Sequence, residues 1–238
     1  MTRPDLPQGE KVFPFYLVLD VSSSMWSERH PHPNPYEVMQ SSLLPIFDEI
    51  SDDLTARDTA HVSIIEFGTT ARTLLPLTPV AQDPTVAQLG RQTKTDYKAA
   101  FDLLAASLSR DIPPLLDRGN KIFTPAVYFL TDGQPETAAG PQPLAEWLPA
   151  RKALDSLTHR GRSYSPTILA LGLGTAKRET LREVRSTNPP GVACVAKPGA
   201  NPASLVGAVV TSIMKSVSAS PGAGTLVFTT PAGMETVD

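Results

Sequence analysis

The sequence predicts an α/β fold: a doubly wound, mainly parallel six-stranded sheet with one antiparallel edge strand and helices on both faces. Short apolar, β-branched runs alternate along the 238 residues with longer stretches whose apolar residues recur at helical spacing. That alternation is the pattern of a parallel sheet with right-handed crossovers. The apolar runs also stop abruptly at polar residues, as buried central strands do. Two of those stops, Asp20 and Thr131-Asp132-Gly133, lie where open α/β sheets bind ligands, at the carboxyl ends of strands.

In chain order, residues 1–11 are polar and read as a loose lead-in, and 12–217 as the domain. The first strand, 13–19, ends in Asp20-Val21-Ser22-Ser23-Ser24. Alternating prolines make 26–35 an extended loop, expected to shape the rim of the binding face. His30 and His32 within it lack a third soft ligand nearby, which argues against zinc. Leu43, Ile46, Phe47, Ile50 and Leu54 follow helical spacing, with Pro45 bending the helix or marking its start. A strand at 60–67 turns through Gly68-Thr69-Thr70 into a hairpin partner at 71–76, put at the sheet edge because Pro76 cannot serve a central ladder. His61 reads as structural.

Residues 78–95 lead to Thr95. Tyr97, Phe101, Leu104, Ala105 and Leu108 then form an amphipathic helix, expected to close at Pro113-Pro114. The strand at 125–130 delivers Thr131-Asp132-Gly133. A long loop follows, which argues against a simple hairpin turn there. Residues 144–160 read as helix in two pieces divided near Pro149. The strand at 167–171 ends in Gly172-Leu173-Gly174, which lacks the third glycine and the Lys-Ser/Thr pair of nucleotide loops. It reads as a turn into a short helix around Leu181 and Val184. The strand at 191–195 carries Cys194 as a small buried hydrophobe. The helix from Pro202 sets Leu205, Val206, Val209, Val210, Ile213 and Val217 on one face. Residues 218–238 have a linker composition and a short apolar run, and are expected to be a flexible tail. The alternative is a strand that docks on a sheet edge.

Composition narrows the function. With 21 Lys and Arg against 24 Asp and Glu, a net charge of −3 and no basic block, the chain is not built to neutralise a phosphate backbone, so nucleic acid is not an expected partner. No signal-peptide core and no stretch long enough to span a bilayer are found in the sequence, so no membrane is expected. A single cysteine fits a reducing cytoplasm.

The chemistry concentrates on Asp20, Ser22 and Ser24. Oxygen ligands spaced two apart on a tight loop suit a hard cation such as Mg²⁺ or Mn²⁺. The same residues could instead cap the next helix and satisfy loop amides. Thr95 could likewise be a helix cap, unless Asp96 takes that role. Together, Asp20-x-Ser22-x-Ser24, the distant Thr95 and the distant Asp132 resemble the metal-ion-dependent adhesion site of von Willebrand factor A domains. The resemblance covers about residues 12–217. Within that family, residues 15–20, 61–67 and 130–133 are similar to the bacterial tellurite-resistance-associated, TerY-like members.

What the resemblance implies is metal-bridged protein recognition without bond-making chemistry. Ser22, Ser24 and Thr95 would contact the cation, with Asp20 and Asp132 engaged mainly through water. The ion would be Mg²⁺ or Mn²⁺, ahead of Ca²⁺. A Glu or Asp of a protein partner would complete the shell. TerY-like members accompany stress-response systems containing a PP2C-type phosphatase and a protein kinase, which suggests an adaptor for such partners. Two departures stand out: Ser23 replaces the usual glycine of the loop, and the His-Pro loop is long. A phosphohydrolase of the haloacid-dehalogenase type is the rival reading, but it needs a second aspartate where Ser22 stands. A serine hydrolase would need an elbow with flanking glycines that neither serine has. A scaffold that has lost its metal is disfavoured because all five ligand positions are filled.

Overall fold

The computed structural model describes residues 9–27, 32–43 and 45–237. Most of the polar lead-in and His30 of the Pro-rich loop lie outside the described residues. The central strand, β1 (Lys11–Asp20), is buried from its second residue onward. Phe13, Phe15, Leu17 and Leu19 enter one hydrophobic core, and Tyr16 and Val18 the other. This is the period-two alternation of a strand covered on both faces.

A single helical turn, α1 (Ser23–Trp26), follows, and then α2 (Pro35–Leu43), α3 (Pro45–Ser51) and α4 (Leu54–Thr59). Pro45 takes the first position of α3, where no amide donor is needed. Asp53 caps α4 by accepting from the Thr55 and Ala56 amides, both at 2.9 Å. The new cap restarts the helical phase, so Leu54, expected on the apolar face, is 72% exposed. β2 (Ala60–Phe67) lies parallel to β1, and β3 (Ala71–Pro79) pairs with it antiparallel at the edge, with Pro76 exposed.

The next helix, α5 (Tyr97–Asp117), runs through Pro113 and Pro114 instead of closing there. The carbonyls these prolines leave unpaired belong to Ser109 and Arg110, both exposed, where water can take them. β4 (Lys121–Ile122) and β5 (Ala126–Thr131) follow, then a small hairpin, β6 (Glu136–Thr137) with β7 (Gly140–Pro141). α6 (Leu144–Ala153) is unbroken at Pro149 for the same reason, since Ala145 is exposed. Helix expected up to residue 160 gives way to a hairpin of β8 (Thr158–His159) and β9 (Arg162–Ser163). The chain then forms β10 (Thr167–Gly172), α7 (Arg178–Val184), β11 (Ala193–Ala196), α8 (Pro202–Ala223) and β12 (Met234–Thr236).

Strand order is β12-β11-β10-β5-β1-β2-β3, with β4 beside the start of β1. All six expected strands are present, and the expected antiparallel edge is β3. A second antiparallel edge is made by β12 on β11. From β1 the chain moves outward to β2 on one side and later to β5 on the other. The crevice of the sheet therefore opens between the carboxyl ends of β1 and β5.

The expected flexible tail at 218–238 is largely ordered: residues 218–223 continue α8, and the chain then folds back along it. Ser212 Oγ donates to the Thr229 carbonyl at 2.6 Å, Ser216 Oγ donates to the Val227 carbonyl, and the Val227 amide donates to Ser220 Oγ at 2.9 Å. Ser220, from the stretch of linker composition, thus joins Ser212 and Ser216 of the helix in a ladder of buried hydroxyls for the returning backbone. Against the expectation that no stretch could span a bilayer, α8 is long and apolar enough by length and composition, with mean hydropathy 1.3. In the fold, half of that window is buried.

Ser216 also accepts from the buried Tyr128 hydroxyl at 2.5 Å. Ser216→Ala is therefore expected to lower stability by about 1–3 kcal/mol in urea unfolding. Thr211→Ala, on the exposed side of α8, should change it by less than about 0.5 kcal/mol. Equal midpoints for the two variants would show that this contact does not hold the tail.

Candidate metal centre

Asp20 ends β1 and Thr131 ends β5, and the two strands are parallel neighbours. Asp20 is wholly buried. Its Oδ1 accepts from the Ser22 amide at 2.8 Å, which turns the chain into α1, and its Oδ2 accepts from the Thr131 hydroxyl at 2.6 Å. Asp132 comes next on β5's exit loop, and its Oδ1 accepts from the Ser24 hydroxyl at 2.5 Å. The Ser22 and Ser24 hydroxyls lie 3.1 Å apart. A methyl carbon built on Gly133 would lie 3.8 Å from both Ser24 Oγ and Thr95 Oγ1. Hydroxyls from two separate loops therefore converge on one space, and all five sequence-predicted residues meet at the crevice.

The Thr95 loop is held there from both sides. The Gln92 amide donates to the Val21 carbonyl at 2.9 Å, and Trp26 Nε1 donates to the Val21 and Gln92 carbonyls, each at 3.2 Å. Glu66, buried at the end of β2, accepts from the Gly90 amide at 2.6 Å and from Arg72 Nε at 2.5 Å. Thr95 and Glu136 exchange both backbone hydrogen bonds at 3.0 Å, and Lys94 pairs with the Glu136 carboxylate at 2.5 Å. Asp96, not Thr95, caps α5, accepting from the Ala99 amide at 3.0 Å. Ser23, which stands in the usual glycine position, is accommodated at the helix start. It starts α1, and its hydroxyl donates to the Thr93 carbonyl at 3.1 Å.

Sequence reasoning missed the residues that support the five. Tyr97 Oη donates to Thr131 Oγ1 at 3.3 Å and to the Gly133 carbonyl at 3.2 Å. Gln142 accepts from the Tyr97 amide at 3.1 Å and donates to Asp96 Oδ1 at 2.8 Å. Thr131 could have been suspected as a polar strand end beside Asp132. Gln142 carries no sequence signal. Away from the crevice, the exposed His32 pairs with Glu37 at 3.0 Å, and His61 is buried with Nδ1 3.2 Å from the Thr59 carbonyl. Cys194 is buried, and its surroundings push the thiol up to about 11.

The hydroxyls line a cleft of about 300 Å³, together with Ser23, Thr93 and Gly133. Asp20 and Asp132, 0% and 4% exposed, lie behind that lining. Burial, then the charge of Asp132, pushes the Asp20 carboxyl up to about 7, and burial pushes Asp132 up to about 6. Among the described residues, no Lys or Arg pairs with either carboxylate. Nor, among them, is any group of three or more His, Cys, Asp or Glu side chains placed to hold a metal ion. The donor set is two acids and several hydroxyls, all hard oxygen. It fits a hard divalent cation, whose charge would offset the two buried carboxylates.

No curated protein matches the sequence. Among solved structures, the pilus adhesin SpaC from Lactobacillus rhamnosus GG aligns at 16% identity and TM-score 0.60, covering 88% of this chain and 31% of that one. A von Willebrand factor type A protein from Catenulispora acidiphila aligns at 17% and 0.52, covering 86% and 43%. The SpRpn10 VWA domain aligns at 12% and 0.52, covering 82% and 94%. The chain spans less than half the length of several structures it matches. At these identities the likeness is one of fold. Residues 15–134, just over half of the chain and the whole interval from Asp20 to Asp132, match the family model of the von Willebrand factor type A domain. The chain belongs to the von Willebrand factor type A domain family.

Proposed function

We propose that this domain is a divalent-metal-dependent protein-binding module, with Asp20, Ser22, Ser24, Thr95 and Asp132 as its metal site. The observation that carries this reading is the convergence of hydroxyls from separate loops over two buried carboxylates that no Lys or Arg among the described residues neutralises. Members of the family commonly bind protein partners through such a site. Ser22, Ser24 and Thr95 face the cleft and are the direct ligands, and Asp20 and Asp132 orient them from behind. The bound ion would supply a Lewis-acidic position for a Glu or Asp side chain of a partner, because hydroxyl ligands add no charge of their own.

The ion is proposed to be Mg²⁺ or Mn²⁺, and the role to be binding, not catalysis. In support, the position where a phosphohydrolase would carry its second aspartate is Ser22, whose hydroxyl is engaged with Ser24. Similarity of residues 15–20, 61–67 and 130–133 to TerY-like members makes a PP2C-type phosphatase or a protein kinase of a stress-response system the first partner to test. The buried, single Cys194 suits the reducing cytoplasm where such systems work.

Calorimetric titration of Mg²⁺ and Mn²⁺ into metal-free protein should show one saturable site. Asp20→Ala and Asp132→Ala should each weaken it by about 10–100-fold or more, whereas Ser23→Gly should leave it intact. Unchanged binding in both aspartate variants would remove the site.

The pH dependence has a defined sign. In the metal-free fold, burial makes Asp132 keep its proton to about pH 6 and Asp20 to about pH 7, whereas the unfolded chain releases both at about pH 4. Metal-free stability should therefore fall as pH rises through that window. The stabilisation given by added Mg²⁺ should grow across it, because protons no longer compete. Thermal unfolding with and without Mg²⁺ at about pH 5 and pH 8 reads this directly. An equal metal-induced gain at both values would contradict it.

A further inference from the structure

A second hollow of about 550 Å³ adjoins the metal cleft, and the two share Gln134, Pro135 and Pro141 as a common wall. The cleft is lined by hydroxyls, but the hollow is lined beyond the shared wall by Leu144, Trp147 and the start of α7. Leu144 is 46% exposed there. The other large exposed apolar side chain among the described residues is Leu54 on α4, across the sheet.

The wall between the two is fixed. Gln134 Oε1 accepts from the Thr180 hydroxyl at 2.7 Å, and Gln142 ties the hollow to the α5 cap. The Thr175 amide and hydroxyl both donate to the Asp132 carbonyl, at 3.0 and 3.1 Å, which binds the approach to α7 to the metal loop.

Resting on the metal reading above, we propose that this hollow is the specificity half of the same recognition surface. A partner segment that places an acidic side chain in the metal cleft seats a bulky apolar side chain, Leu, Met or Phe, against Leu144, Pro135 and Pro141. The shared wall puts both within reach of one short peptide. A carboxylate alone selects little, since any exposed Glu or Asp offers it. Burying an apolar side chain adds affinity in proportion to area and gives a sequence preference. The charges around the hollow agree. Lys177 has no ion-pair partner among the described residues and favours an acidic segment, while Glu179 and Glu183 disfavour a second acid in the hollow itself.

The test is an array of synthetic peptides with one fixed Glu and Leu, Phe, Ser or Lys at each flanking position. It is probed with the full chain in Mg²⁺ and, in parallel, in EDTA. Retention should require Mg²⁺ and be about ten-fold stronger for Leu or Phe than for Ser at one flanking position. Leu144→Lys should erase that preference while keeping the weaker Mg²⁺-dependent binding of Glu-Ser peptides, and Leu144→Met should preserve the preference. Mg²⁺-dependent binding with no apolar preference, or a preference that survives Leu144→Lys, overturns the hollow and leaves the metal site standing. No Mg²⁺-dependent retention of any peptide overturns both.

Discussion

Asp20 and Asp132 are held beside each other at the carboxyl ends of two neighbouring parallel strands, and no Lys or Arg among the described residues pairs with either. Burying like charges together is costly, and a fold keeps such an arrangement only where something else repays it. Much of the surrounding structure serves to hold the pair in place. The Thr131 hydroxyl and the Ser22 amide fix the two oxygens of Asp20. Tyr97 fixes Thr131, Gln142 fixes Tyr97, and the β6–β7 hairpin pins Thr95 opposite Ser24. The centre is a floor of two buried carboxyls, held in place by hydrogen bonds, beneath a ring of neutral hydroxyls.

The floor and the ring were legible in the sequence to different degrees. Asp20, Ser22 and Ser24 fall on one turn, and their spacing points to hard oxygen ligands but fits a helix cap as well. Thr95 and Asp132 are individually ordinary, and they gained meaning in the sequence only through the resemblance that joins them to the Asp20 loop. The supporting residues were not legible. Gln142 acts across 45 positions of sequence and Glu66 across 24, and no local periodicity encodes such contacts. Ser23 shows the converse, since a residue that looks unsuited to a tight loop finds a carbonyl for its hydroxyl at Thr93.

The fold differs from its sequence-based expectation mainly where proline and serine were given their average behaviour. Pro113, Pro114 and Pro149 sit where the carbonyls they free are on exposed residues, so the helices continue. Ser212, Ser216 and Ser220 recur every four residues along α8 and present hydroxyls to a returning chain, so the tail of linker composition packs along the helix. Both depend on which face of a helix a residue occupies, which composition does not record.

The central claim is that an outside carboxylate reaches a metal ion held by these hydroxyls. The most direct measurement is electron–nuclear double resonance on the Mn²⁺-loaded protein with acetate carrying a ¹³C label at its carboxyl carbon. A ¹³C coupling of the size expected for direct coordination, absent in Ser24→Ala, is the result the account requires. Mn²⁺ bound with water couplings alone, at acetate concentrations that saturate any weak site, would contradict it.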